Sequence, residues 1–128
     1  SEANKMVQEL DFKLEKKAYE TAKQYNRISD YQASIKSFDN FIFEFPGSSL
    51  REDALFYRLD AAFKLAVNSL ELKRTANGVV KLRQTRLAQA KEYFNVFKKA
   101  YANSKYLAEA EDMAETIDKE LETYSAKS

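Results

Sequence analysis

The sequence predicts an all-α protein, a right-handed superhelical stack of about five antiparallel helices over residues 1–124, with a polar tail at 125–128 expected to be disordered. Three observations carry this. From Met6 to Tyr124 the chain is rich in Ala, Leu, Lys and Glu, and the whole sequence holds only two Gly and one Pro, the composition of helix rather than strand. Its apolar residues recur at steps of three and four, which line one helical face. A single offset of 56 residues aligns two consecutive helices across the break between them.

The first helix is expected from about Lys5 to Tyr25, with Leu10, Leu14, Ala18, Ala22 and Tyr25 on its buried face. Ser29 or Asp30 caps a second helix through Tyr31, Ile35, Phe38, Phe41, Ile42 and Phe45, which Pro46-Gly47 stops. Ser48 or Ser49 caps the third, with Glu52 and Asp53 in its first turn, where the helix dipole favours acids. Ala54, Leu55, Leu59, Ala62, Phe63, Ala66 and Leu70 form its face, and it is expected to continue to about Arg74, roughly 38 Å of helix. Asn77-Gly78 marks a turn into a fourth helix, about Val80 to Tyr101, with Leu87, Ala90, Phe94 and Phe97 inward. After Asn103-Ser104 a fifth runs from Lys105 to Tyr124 through Tyr106, Ala110, Met113, Ala114, Ile117 and Leu121. This succession leaves no room for a sheet.

The offset of 56 pairs Ser34 with Ala90, Phe38 with Phe94, Phe41 with Phe97, Phe45 with Tyr101, Ser48 with Ser104, Leu50 with Tyr106 and Ala54 with Ala110. Small residues let paired helices approach, and Phe residues fill the groove between hairpins. The pattern Ala18-x2-Thr21-Ala22-x2-Tyr25, then Tyr31-x2-Ser34-x3-Phe38-x2-Phe41-x4-Pro46, resembles the tetratricopeptide (TPR) repeat without its first-helix Trp and Leu-Gly. From Phe63 to Ala90 there are 27 positions, against nine from Tyr25 to Ser34, so the middle hairpin is expected to be elongated and to project.

Inventory removes most enzyme classes. With no Cys and no His, thiol nucleophiles, Ser-His pairs, zinc sites and iron–sulfur clusters have no ligands or bases. Two glycines cannot build a phosphate loop. A net charge of +1 disfavours nucleic acid, and no apolar run is long enough to span a membrane. The carboxylates Asp112, Glu115 and Asp118 share one side of the last helix, yet no acids converge from another helix, so neither catalytic nor metal residues are expected and no cofactor is implied.

Taken together, Tyr31-x3-Ile35-x2-Phe38-x2-Phe41-x3-Phe45-Pro46-Gly47-Ser48, the stretch Leu65-Ala66-Val67-Asn68-Ser69 with Lys73, and Ala90-x2-Tyr93-Phe94-x2-Phe97-x6-Ser104-Lys105-Tyr106-x3-Ala110 resemble the BamD/YfiO-like TPR lipoproteins of the outer-membrane β-barrel assembly machinery. Ala102 stands where that pattern has a second Pro. The resemblance implies a non-catalytic protein-interaction scaffold at the periplasmic face of the outer membrane. Its partners would be assembly components or unfolded barrel clients, and the chain would be a fragment with the later repeats, its lipid anchor outside it. A generic TPR adaptor in another complex is the alternative, and a carboxylate–metal enzyme a more distant one.

Two surfaces are candidates for partner binding. Between Leu72 and Lys91 there is no acid, while Lys73, Arg74, Lys81, Arg83, Arg86 and Lys91 gather six positive charges around a turn. Their side chains are expected to face water, as a basic elbow that docks an acidic protein surface. Tyr25, Tyr31 and Tyr57 are expected to line a concave groove suited to a peptide.

Overall fold

Helices form where the apolar stripes place them, and one connection departs from that pattern. A computed structural model describes residues 1–126 and runs α1 (Glu2–Arg27), α2 (Tyr31–Glu44), α3 (Arg51–Val67), β1 (Lys73–Thr75), β2 (Gly78–Val80), α4 (Leu82–Ala100) and α5 (Leu107–Ala126). Each helix packs on the next, and α3 also meets α5. α5 thus extends two residues into the segment expected as a polar tail; residues 127 and 128 lie outside the described ones.

The buried side chains run along the stack in three groups. Tyr19, Ala22, Phe38, Phe41 and Ala54 join α1, α2 and the start of α3. Leu55, Phe56, Leu59, Phe94, Phe97, Ala110, Met113 and Ala114 hold the middle. Ala62, Ala66, Leu87, Ala90 and Ile117 tie the end of α3 to α4 and α5. Between α1 and α2 the approach is close enough for the buried Ser34 hydroxyl to donate to the Ala22 carbonyl at 2.8 Å.

The 56-residue repeat is present in the backbone. At the α2–α3 junction the Phe45 N–H donates to Phe41 O at 2.9 Å, Ser48 N–H to Phe45 O at 3.0 Å, Leu50 N–H to Ser48 Oγ at 3.0 Å and Ala54 N–H to Leu50 O at 2.9 Å. At the α4–α5 junction Tyr101, Ser104, Tyr106 and Ala110 repeat those bonds at 2.9, 3.1, 3.0 and 2.9 Å. Each serine also donates to a glutamate on an earlier helix, Ser48 to Glu15 at 3.0 Å and Ser104 to Glu52 at 2.6 Å. The second junction forms without Pro46's counterpart, with Ser104 holding the turn ahead of α5 as Ser48 does ahead of α3; α3 itself begins after Leu50 with no side-chain cap, so the expected cap from Ser48 or Ser49 does not form.

Expectations fail at two places, the middle hairpin and the face of α1. α3 does not reach Arg74 and the middle hairpin is not elongated: α3 has 17 residues and α4 has 19. The Asn68 amide donates to Lys64 O at 2.8 Å and the Ser69 hydroxyl to Leu65 O at 2.6 Å, competing for the carbonyls the helix would need in order to continue. The extra residues form a small antiparallel hairpin, pairing Lys73 with Val80, Arg74 with Val79 and Thr75 with Gly78, so the expectation of no sheet is also overturned. Gly78 turns it at φ 121, a region side chains avoid. Leu70, placed on a buried face by the sequence, is 77% exposed beside it.

The second failure is the face of α1. Tyr19, Ala22 and Asn26 point into the core, while Leu10 and Leu14 are exposed. The expected face holds where α2 covers it, with Ala22 buried and Ala18 packed on the same cluster, and fails at Leu10 and Leu14, which lie beyond α2.

A polar and aromatic groove between α1 and α3

The last turns of α1 run beside the middle of α3 and leave a groove of about 430 Å³ lined by Lys23, Asn26, Arg27, Ser29, Tyr31, Tyr57, Asp60 and Lys64. Its wall at the α1–α2 turn is set by Ser29, which adopts φ 64. That left-handed residue lets the Ser29 N–H reach Asn26 O at 3.0 Å and the Asp30 N–H reach Tyr25 O at 2.9 Å, closing α1. Asp30 then caps α2 by accepting from the Ala33 N–H at 3.2 Å. The Tyr31 hydroxyl donates to Ser29 Oγ at 3.3 Å, so the ring stands at the rim.

Asn26 anchors the floor. It is buried, donates from Nδ2 to Asp60 at 3.1 Å and accepts from Lys64 Nζ at 3.5 Å. Lys64 lies 2.9 Å from Asp60, one helical turn earlier. Asp60 is thereby neutralised within the site. Lys23 is different: its Nζ lies 4.5 Å from the Tyr57 ring centroid and 5.6 Å from that of Tyr19, and it has no carboxylate partner among the described residues. Arg27 holds Glu20 only at 3.6 Å, with both side chains about half exposed. Three cations therefore face one carboxylate in a groove walled by two tyrosines, an arrangement that attracts an acidic group and offers ring faces to its neighbours.

Of the tyrosines expected in a concave groove, Tyr31 and Tyr57 are brought together here. Tyr25 is not; it lies with Thr21 and Ile28 in a shallow depression on another side of α1. Tyr19 sits behind the groove, where burial first and then Asp53 raise its hydroxyl pKa far above the usual tyrosine range.

The six charges of the basic elbow divide in two. Lys73, Arg74 and Lys81 are exposed on or beside the hairpin. Arg83, Arg86 and Lys91 do not simply face water. Arg83 donates to Val67 O at 2.8 Å and Ser69 O at 3.3 Å and pairs with Glu120, leaving its side chain 19% exposed. The Glu120 hydrogen bond raises its pKa further. Arg86 donates to Ser69 Oγ at 2.7 Å, and Lys91 binds Asp118 at 2.7 Å. These residues clasp the end of α3 to α4 and α5, joined by Tyr124, whose hydroxyl donates to Glu71 at 2.7 Å. They fold inward because the shortened α3 leaves its last carbonyls within their reach.

Along α5, Asp118 is spent on Lys91 and Glu115 lies 3.1 Å from Lys119. Among the described residues no three His, Cys, Asp or Glu side chains are grouped to hold a metal ion, and no helix is long and apolar enough to cross a membrane. Lys23, Asn26, Asp60 and Lys64 were missed from sequence. The one available signal was the fourfold spacing of Asp60 and Lys64, which is common on any solvated helix. Comparison with protein-family models and with curated proteins finds no match to this chain.

Proposed function

We propose that the chain is a non-catalytic protein-interaction scaffold whose α1–α3 groove receives an extended partner segment bearing a carboxylate next to an apolar or aromatic residue. The observation that supports this most is Lys23, an ammonium held over Tyr57 with no carboxylate partner among the described residues. The groove is a better candidate than the elbow, since Arg83, Arg86 and Lys91 are already committed within the fold.

The finer reading is a TPR-type right-handed superhelix from an outer-membrane β-barrel assembly lipoprotein, acting at the periplasmic face of the outer membrane on assembly components or unfolded barrel clients. It rests on the residue pattern and is supported by the duplicated helix junction, in which Ser48 and Ser104 play the same part. Co-purification of the full-length gene product with barrel-assembly components tests that placement.

The groove itself is tested by fluorescence anisotropy with a labelled six-residue peptide alternating Glu and Phe. Saturable binding that Lys23→Glu weakens at least about tenfold, and that fades as salt is raised, is expected of a partly solvated charge contact. Binding unaffected by Lys23→Glu but lost on charge reversal of Lys73 and Arg74 contradicts the groove and moves the site to the hairpin.

A further inference from the structure

α1 is longer than its neighbour can cover: it has 26 residues and α2 has 14, so about 18 Å of α1 runs past α2. Residues 1–14 are all exposed. Within them Ala3, Val7, Leu10 and Leu14 recur at steps of four, three and four, the spacing that draws one line along a helix and pairs it with another helix. Val7, Leu10 and Leu14 are 58%, 59% and 53% exposed, although nothing polar interrupts the line. A helical overhang of this length without tertiary contact is marginal in water.

The line changes character towards the body of the stack. Glu15 and Glu52, which accept from the two junction serines, place α1 and α3 in register at an offset of 37. On that register Lys17 and Thr21 stand where α3 has Ala54, packed with Phe38 and Phe41, and Arg58, paired with Asp39 at 2.9 Å. α1 therefore does not repeat the surface by which α3 takes a stacked helix, and its uncovered apolar surface is confined to the overhang.

We propose that a second copy of this chain covers the overhang, with the two α1 helices antiparallel and residue i of one facing residue 17 − i of the other. This register makes four layers, Ala3 on Leu14, Val7 on Leu10, and their two symmetry mates. Sliding by one heptad brings Lys17 into the seam and leaves two apolar layers. At the edges Asn4 meets Asp11 and the Lys13 stem lies over Met6, so no like charges face each other. The antiparallel arrangement sends the two bodies to opposite ends, clear of collision. The same surface on both copies closes at two, and the exposed acids Glu111, Asp112 and Glu115 of α5 give the overhang no apolar surface to add to in an open chain.

The test is sedimentation equilibrium of the 128-residue chain with Leu10→Glu and Leu70→Glu variants. The mass of the parent protein is expected to rise from one chain, 14.8 kDa, towards two as concentration increases from about 10 µM to about 1 mM. Leu10→Glu is expected to remain at one chain with an unchanged melting temperature, and Leu70→Glu to behave as the parent. A parent that stays at one chain, a mass that climbs past two, or a dimer that survives Leu10→Glu overturns the proposal.

Discussion

Arg83 and Phe38 mark how far single residues reveal their roles. Phe38 and Phe94 sit at equivalent points of the repeat, 0% and 7% exposed, as their spacing implied, because large apolar side chains have one low-energy destination. Either Phe→Ala change should cost roughly 3–5 kcal/mol in denaturant melts, the usual range for emptying a buried Phe site. Arg83 looked like any solvated helix charge, since sequence does not show which carbonyls lie within its reach. Arg83→Glu removes its bonds to Val67 and Ser69 and sets a carboxylate beside Glu120 and Glu71. It should cost about 2–4 kcal/mol in the same melts, where a surface charge would cost almost nothing. Tyr106 donates to Asp53, and burial first and that bond second push its pKa well above the ordinary tyrosine value, as burial does for Tyr19. Both are neutral when folded at a pH where the unfolded chain ionises, so their stabilising effect is complete below about pH 10 and is lost as pH rises beyond it. An alkaline fall in melting temperature that Tyr106→Phe reduces is the expected result.

At the scale of elements, periodicity located α1, α2, α4 and α5 to within a few residues at each end but carried α3 seven residues too far, to Arg74 instead of Val67, and the errors share one cause. Apolar spacing records that a residue suits a helix face, not what that face meets. Leu10 and Leu14 fit the stripe as well as Ala18 does, yet α2 ends before it reaches them. Leu70 fitted the α3 stripe, but Asn68 and Ser69 end that helix first. Thr75 and Val79-Val80 flanking Asn77-Gly78 were the legible sign of a hairpin, outweighed in the reading by the helical composition on either side. Residues 73–80 are all exposed, and Thr75 bonds only within the hairpin. Replacing them with a short Gly-Ser linker should alter stability by less than about 1 kcal/mol and leave far-UV helicity nearly unchanged.

Across the whole molecule, the repeat was the most legible feature because it is written in residues whose roles are local: a serine three residues ahead of α3 and of α5, a Phe pair ten and seven residues before that serine, an alanine six residues after it. The groove was the least legible. It depends on Asn26 and Asp60 meeting from residues 34 apart, and no local pattern reports that convergence. The consequence is a stack whose two ends differ, one with an uncovered apolar helix and the other dressed in acids, with a cationic and aromatic groove on the side between them. The central claim is that partners enter by that groove, and amide chemical-shift mapping of the chain titrated with the Glu/Phe peptide tests it most directly. Shifts are expected to concentrate at Lys23, Asn26, Tyr31, Tyr57 and Lys64. Shifts confined to the 70–81 hairpin or to residues 3–14, with the groove silent, would contradict it.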